Sequence, residues 1–277
     1  LSATQINIFV NTNFAASCSE GSDSWLYYAF RLVQLPIGVF GVALSIAMLP
    51  VLSKQAANKQ LEEMKKTMAT SLTMVFTLTL PATAGLILLA EPIVRLLFEH
   101  GAFTRHDTIA TAATLSLYAV GLFAYSANKI LVPAFYALDK TYFPVIASFL
   151  AIGLNILIVS LTISRFQHLS IALSTSCTMI INFFFLITVL QICMGGILWA
   201  KLLKGLVKIC LATCGLVLFL LYISPLLSSL LQGSTPALAL ALFLLIAGAA
   251  VLYACLLYFL RLEEMTILTK KIASRFF

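Results

Sequence analysis

Apolar runs of about 20 residues, separated by short polar, Gly or Pro breaks, recur from one end of this chain to the other. A helix needs about 20 consecutive apolar residues to cross a bilayer. Dividing the 277 residues at those breaks gives seven complete candidate spans and one partial span: 1–17 (partial), 25–51, 68–90, 108–138, 144–163, 169–193, 203–223 and 236–260. Hydrophobic residues make up 61% of the chain, charged residues 10%, and the mean hydropathy is +1.05, too apolar for a water-soluble domain of this length. Membrane β-barrels read as short alternating segments, and that pattern is missing here. An all-α polytopic membrane protein with about eight transmembrane helices is expected.

Orientation follows from the cations, because cytoplasmic loops accumulate Lys and Arg. Threading eight spans puts Lys54, Lys59, Lys65, Lys66, Lys140, Lys201, Lys204, Lys208, Arg261, Lys270, Lys271 and Arg275 on one side. Arg95, Arg105 and Arg165 fall on the other, and Arg31 and Lys129 lie within spans. The crowded side, with the C-terminus, is expected to be cytoplasmic. The net charge of +7 then reads as a topology signal, with no basic, aromatic-interleaved surface for nucleic acid. The polar helix at residues 1–17 reads as one whose beginning is cut off, so the chain is expected to be a C-terminal piece of a larger protein.

Arg31 stands inside an apolar span, Trp25-Leu26-Tyr27-Tyr28-Ala29-Phe30-Arg31-Leu32. A guanidinium at the bilayer centre costs roughly 2.5–3.5 kcal/mol on insertion scales, so such residues usually face a cavity or a partner. Arg31, Gln34, Gly38, Gly41 and Ser45 recur every three or four residues and form one polar, small-residue stripe. Thr4, Asn7 and Asn11 make a similar stripe in the first span. Two such helices could wall a hydrated cavity. The competing reading has the glycines permitting close helix packing while Arg31 snorkels to the interface. Lys129, the second intramembrane charge, has Tyr125 one turn back on its face, and a structural and a substrate role stand level for it. Pro36, Pro81 and Pro133 are expected kink points.

The remaining chemistry-bearing residues exclude several classes. Cys177, Cys193, Cys210, Cys214 and Cys255 lie in or beside apolar spans without metal-ligand spacing and read as packing residues. His100, His106 and His168 fall in loops and read as solvated. No Walker A pattern supports ATP hydrolysis by this chain. Asp139 and the Glu62-Glu63 pair do not build a catalytic metal motif, so the chain is not expected to be an enzyme. Glu91, before Pro92, reads as a helix-boundary residue. Leu262, Met265, Leu268, Ile272 and Phe276 opposite Lys270, Lys271 and Arg275 read either as an amphipathic tail on the inner leaflet or as a plain solvated, basic C-terminus.

Three stretches carry a family resemblance: Tyr27 through Ala43 with Leu49-Pro50 and Leu52-Ser53; Leu97-Phe98-Glu99-His100-Gly101-Ala102-Phe103-Thr104; and Lys129-Ile130-Leu131 through Ala134-Phe135-Tyr136-Ala137, leading to Pro144. They resemble the signature of the MurJ (MviN) lipid II flippases of the multidrug/oligosaccharidyl-lipid/polysaccharide transporter superfamily, in the C-terminal half. The resemblance implies a six-helix C-terminal lobe over 1–196, two additional helices over 197–260 forming a groove for the lipid tail, and a cytoplasmic tail over 261–277. It implies a multi-pass protein of the bacterial inner membrane. Its partners would be lipid II (an undecaprenyl-pyrophosphate-linked disaccharide peptide), membrane lipids and the missing N-terminal lobe, with no nucleic acid.

Arg31 falls on the arginine of the family's Tyr-Ala-Asp-Arg motif, required for transport, and Phe30 replaces the Asp before it. A planar guanidinium suits pyrophosphate oxygens through paired, charge-assisted hydrogen bonds. The expected substrate-binding residues are Arg31, Gln34, Asn7, Asn11 and Lys129. Relatives that hold sodium suggest Asn11, Asn155 and Thr175 as matching positions, although no carboxylate is among them. Two other readings remain: a drug or metabolite exporter of the same superfamily, recognisable by cavity-lining carboxylates, and a non-transporting membrane scaffold.

Overall fold

The computed structural model describes residues 2–196, 198–227 and 234–261, with side chains from Gln5 onward. The tail from Leu262 and the side chain of Thr4 lie outside the described residues. Eleven α-helices occur among the described residues, with no strand: α1 (Ser2–Ala16), α2 (Ser22–Pro36), α3 (Ala43–Ala57), α4 (Leu61–Leu88), α5 (Ala90–Phe98), α6 (Arg105–Val120), α7 (Leu122–Ala137), α8 (Tyr142–Phe166), α9 (His168–Met194), α10 (Trp199–Leu226) and α11 (Thr235–Phe259). A π-helical turn, Ile37–Val42, joins α2 to α3, so one rod runs over Ser22–Ala57. Six helices are long and apolar enough to cross a membrane, and the bent pair α6–α7 makes a seventh if counted as one span. The first candidate span is represented by α1, only 15 residues long.

The fourth span bends at a position its proline does not mark. Pro133 lies inside an unbroken α7, and Pro81 inside an unbroken α4. The 42° bend comes at Gly121 instead. There the amide of Gly121 bonds back to Tyr118 O (3.1 Å) rather than to Leu117 O. Ser176 Oγ on α9 donates to that freed Leu117 carbonyl at 2.6 Å, which is how an inserted hydroxyl sustains a kink. A Cβ on residue 121 would meet Ser176 Cα at 2.9 Å, so only glycine lets the two backbones close this far.

Helices α4, α7, α9, α10 and α11 share the larger apolar core, built on residues such as Met68, Leu72, Leu131, Phe135, Leu190 and Leu245. A smaller core, with Ala29, Val33, Val94, Leu115 and Ile171, ties α2, α5, α6 and α9 together near the loops at 17–21 and 99–104. Helix α5, unanticipated from the sequence, buries Ala90 and Val94 and exposes Glu91 and Leu97. Glu91 accepts an ion pair from Arg105, whose guanidinium also lies 3.8 Å from Glu99. Thr104 and Asp107 form a capping box at the start of α6.

The cations separate along the bundle. Lys201 Nζ reaches Thr70 Oγ1 (3.2 Å), Lys208 Nζ reaches Arg261 O (2.9 Å) and Gln55 Nε2 reaches Thr67 Oγ1 (2.9 Å), so the starts of α4 and α10 and the ends of α3 and α11 share one end. Arg95 and Arg105 lie at the other, with α5.

Two expectations about single residues need correction. His168 is half-buried rather than solvated, packing edge-on against Trp25 at 4.8 Å, with His106 at 5.4 Å from the same ring. Trp25 is anchored there by its Nε1–H to Asp107 Oδ1 at 2.8 Å. Cys210, Cys214 and Cys255 are exposed on the faces of α10 and α11, so they fill no core site. A thiol is apolar enough to face lipid, which is why composition could not tell the two places apart.

Candidate substrate cavity

One concave space of about 680 Å³ opens between α1, α2, α6, α7 and α9. Its walls bring together residues far apart in sequence: Asn7 and Asn11 from α1, Gln34 from α2, Lys129 from α7 and Thr175 from α9. Four of the five expected substrate residues, Asn7, Asn11, Gln34 and Lys129, therefore line it. Arg31 does not. Its guanidinium sits over the Tyr27 ring, 4.8 Å from the centroid, and donates to Tyr27 Oη at 2.6 Å. Tyr27 itself lines the cavity, so Arg31, exposed, stands behind a rim residue.

Phe30 occupies the family's Asp position with a hydrophobic contact. Its ring lies 5.4 Å from Tyr118 and 6.3 Å from Tyr125, both cavity residues. Tyr118 was not anticipated. It lies seven residues before Tyr125 and eleven before Lys129, one helical stripe that the sequence displays but that the Gly121 bend obscures. Asp23, at the mouth and in the first turn of α2, was also missed.

The small-residue stripe on α2 divides at the π turn. Gly38 is exposed, and nothing lies within 4 Å of a Cβ placed there. Gly41 is buried, and a Cβ on it would be 3.1 Å from Ser126 Cα on α7. The wider π winding rotates residues after Ile37 away from the α-helical register. The cavity and close-packing readings of the stripe thus each hold for part of it.

A hydrogen-bonded amide cluster backs the α1 wall. Asn155, 0% exposed on α8, donates from Nδ2 to Asn7 Oδ1 (2.5 Å) and to Asn11 Oδ1 (2.7 Å). Its own Oδ1 accepts from Ser174 Oγ at 2.6 Å, and Asn11 Nδ2 reaches toward Thr175 Oγ1 at 3.5 Å. Asn11, Asn155 and Thr175 do converge, as a sodium site would require. Yet the two carbonyl oxygens that would face an ion both face the Asn155 amide donor, and no carboxylate joins them. With both oxygens engaged by the Asn155 donor and no carboxylate beside them, the set is poor in the oxygens that a hard cation gathers. It is a satisfied polar network joining α1 to α8 and α9.

Comparison with known proteins places this arrangement. A family model described as lipid II flippase MurJ matches residues 1–260. A probable lipid II flippase MurJ of Bdellovibrio bacteriovorus is 33% identical over 262 residues, 95% of this chain and 50% of that protein. One from Buchnera aphidicola subsp. Acyrthosiphon pisum is 40% identical over 185 residues, 67% of this chain and 36% of that protein. This chain thus spans half or less of the length of these curated relatives. A solved structure of lipid II flippase MurJ in an inward closed conformation superposes with a TM-score of 0.74 at 25% identity, covering 93% of this chain and 52% of that one. An outward-facing multidrug resistance MATE family transporter shares the fold, with a TM-score of 0.62 at 14% identity, covering 96% of this chain and 64% of that one. The chain is an all-helical, multi-pass membrane protein and belongs to the lipid II flippase MurJ family.

Proposed function

We propose that this chain supplies the C-terminal half of a flippase that carries lipid II from the inner to the outer leaflet of a bacterial inner membrane, with its C-terminus in the cytoplasm. The observation that carries this reading is the cavity of about 680 Å³, in which amides and a lysine meet inside a membrane bundle. Polar groups within membrane helices are costly and mark substrate paths. Residues 1–196 form one lobe, and an N-terminal lobe closes the open side of the cavity. Helices α10 and α11, within the expected 197–260 segment, flank the lobe with a groove for the undecaprenyl tail. Rocking of the two lobes exposes the cavity to each side in turn, so this half does not transport by itself.

In this mechanism Lys129 meets the pyrophosphate directly from the cavity wall, as a compact donor of three N–H groups. Arg31 waits behind Tyr27, its guanidinium held by the ring face and the hydroxyl. A phosphate at the rim competes for Arg31 with a paired, charge-assisted bond stronger than the neutral phenol can make. Gln34, Asn7 and Asn11 present amides to the polar headgroup.

The test is lipid II exposure at the outer leaflet in cells depleted of their own flippase and supplied with the full-length parent, at matched membrane abundance. The parent restores exposure, and Lys129→Ala and Arg31→Ala each remove most of it. Retained exposure in Lys129→Ala with loss in Arg31→Ala would assign the phosphate to the rim arginine alone. Failure of the parent would favour a second reading, an exporter of organic cations, for which the carboxylate of Asp23 at the cavity mouth is the supporting observation.

A further inference from the structure

We infer that Phe30, Tyr118 and Tyr125 form a sugar-recognising platform within the cavity, so that this half of the protein reads the carbohydrate of its lipid-linked substrate as well as the phosphate. The inference rests on the flippase reading and adds a subsite to it. The three rings form one cluster, with Phe30 in contact with both tyrosines. All three line the cavity. Neither the Tyr118 hydroxyl nor that of Tyr125 has a hydrogen-bond partner among the described residues, and neither oxygen is sealed off from the cavity that both residues line. A phenol hydroxyl that opens on a cavity is free to donate to and accept from a ligand held there.

The chemistry of the surroundings selects the ligand. A pyranose presents a face of C–H groups and a rim of hydroxyls. Aromatic faces are electron-rich and attract the first. Phenol hydroxyls, which both donate and accept, match the second. Gln34 and the α1 amides border the same space and supply further neutral donors and acceptors. A pyrophosphate alone would use none of the rings. A lipid tail would leave both hydroxyls without partners. A neutral, polyhydroxylated ring uses both features at once, as specific pockets combine apolar walls with a few placed polar groups.

The experiment compares binding of lipid II with binding of undecaprenyl pyrophosphate, which shares tail and phosphates but lacks sugar, by the purified full-length parent. The double variant Tyr118→Phe with Tyr125→Phe keeps every ring and removes only the two hydroxyls. It is expected to lower lipid II affinity by about tenfold, the scale of two lost hydrogen bonds, and to leave undecaprenyl pyrophosphate affinity unchanged. Phe30→Leu, which removes a ring and no hydroxyl, lowers lipid II affinity selectively by a smaller factor and stands as an independent test if the double variant unfolds. Equal loss for both lipids, or no loss for either, overturns the inference and makes the cluster a packing element. If the unmodified parent binds both lipids equally, the sugar subsite fails while the flippase reading survives; if it binds neither, both fail.

Discussion

The cavity-bearing lobe and the α10–α11 pair solve the same packing problem in different ways. In the lobe, glycines bring backbone against backbone: Gly121 against Ser176 Cα and Gly41 against Ser126 Cα. Polar side chains there sit in a shared network centred on Asn155. In the pair, glycines meet the tips of side chains: a Cβ on residue 215 would lie 2.6 Å from Leu256 Cδ1, and one on residue 248 would lie 3.1 Å from Phe219 Cζ. Tyr253 Oη, donating to Thr77 O at 2.8 Å, ties α11 to α4. Lipid tails are as apolar as leucine, so helices in a bilayer associate through close packing and hydrogen bonds rather than hydrophobic burial. The lobe is built rigidly around a polar space. The pair is built compliantly around apolar tips.

The largest expected effect tests the network. Asn155→Leu leaves the Asn7 and Asn11 amide oxygens without their shared donor, while Ser174 Oγ keeps its bond to Ile171 O. With about 1–3 kcal/mol for each unsatisfied buried group, discounted because the membrane-unfolded state finds other partners, the expected loss is about 2–4 kcal/mol, read as a lowered thermal midpoint in detergent. Tyr253→Phe in the pair should cost about 1 kcal/mol by the same measurement, since it removes one neutral bond. Equal losses would erase the contrast between the two regions.

Next comes the glycine comparison. Gly121→Ala forces a Cβ onto the Ser176 backbone and should destabilise by about 1–3 kcal/mol, the usual range for overpacking. Gly215→Ala meets only the end of Leu256, which can turn aside, and gains helix propensity of up to about 1 kcal/mol. Its thermal midpoint should stay within a degree or two of the unmodified protein, or rise. A loss at Gly215 as large as at Gly121 would show that the pair is as rigid as the lobe.

The smallest effect concerns reactivity. Cys18, in the turn between α1 and α2, has its thiol pushed up by burial and then by the carboxylate of Asp23. A raised thiol pKa leaves less thiolate at neutral pH, so alkylation of Cys18 by iodoacetamide should be slow at pH 7.5 and accelerate through a midpoint above the ordinary thiol range. Asp23→Asn should move that midpoint down by a small amount. An unchanged midpoint would mean that Asp23 does not act on the turn.

Much of this protein follows from one-dimensional pattern. Runs of about 20 apolar residues oblige a chain to form membrane helices, because unpaired backbone groups are not tolerated in lipid. The spans at 61–88, 142–166, 168–194, 199–226 and 235–259 accordingly fall where the apolar runs place them. Helical spacing likewise put Asn7 with Asn11, and Tyr125 with Lys129, on common faces. Tertiary structure decided the rest. The Asn155 cluster joins residues 148 positions apart, and no local spacing encodes that meeting. The π turn after Pro36 and the bend at Gly121 shift the angular register that periodicity assumes constant, so the α2 stripe divided and Tyr118 came into the cavity unannounced. Arg31 was legible as a charge that needed a partner; that its partner is Tyr27 at the rim, while Lys129 holds the wall, depends on which direction each side chain leaves its helix and on what stands opposite.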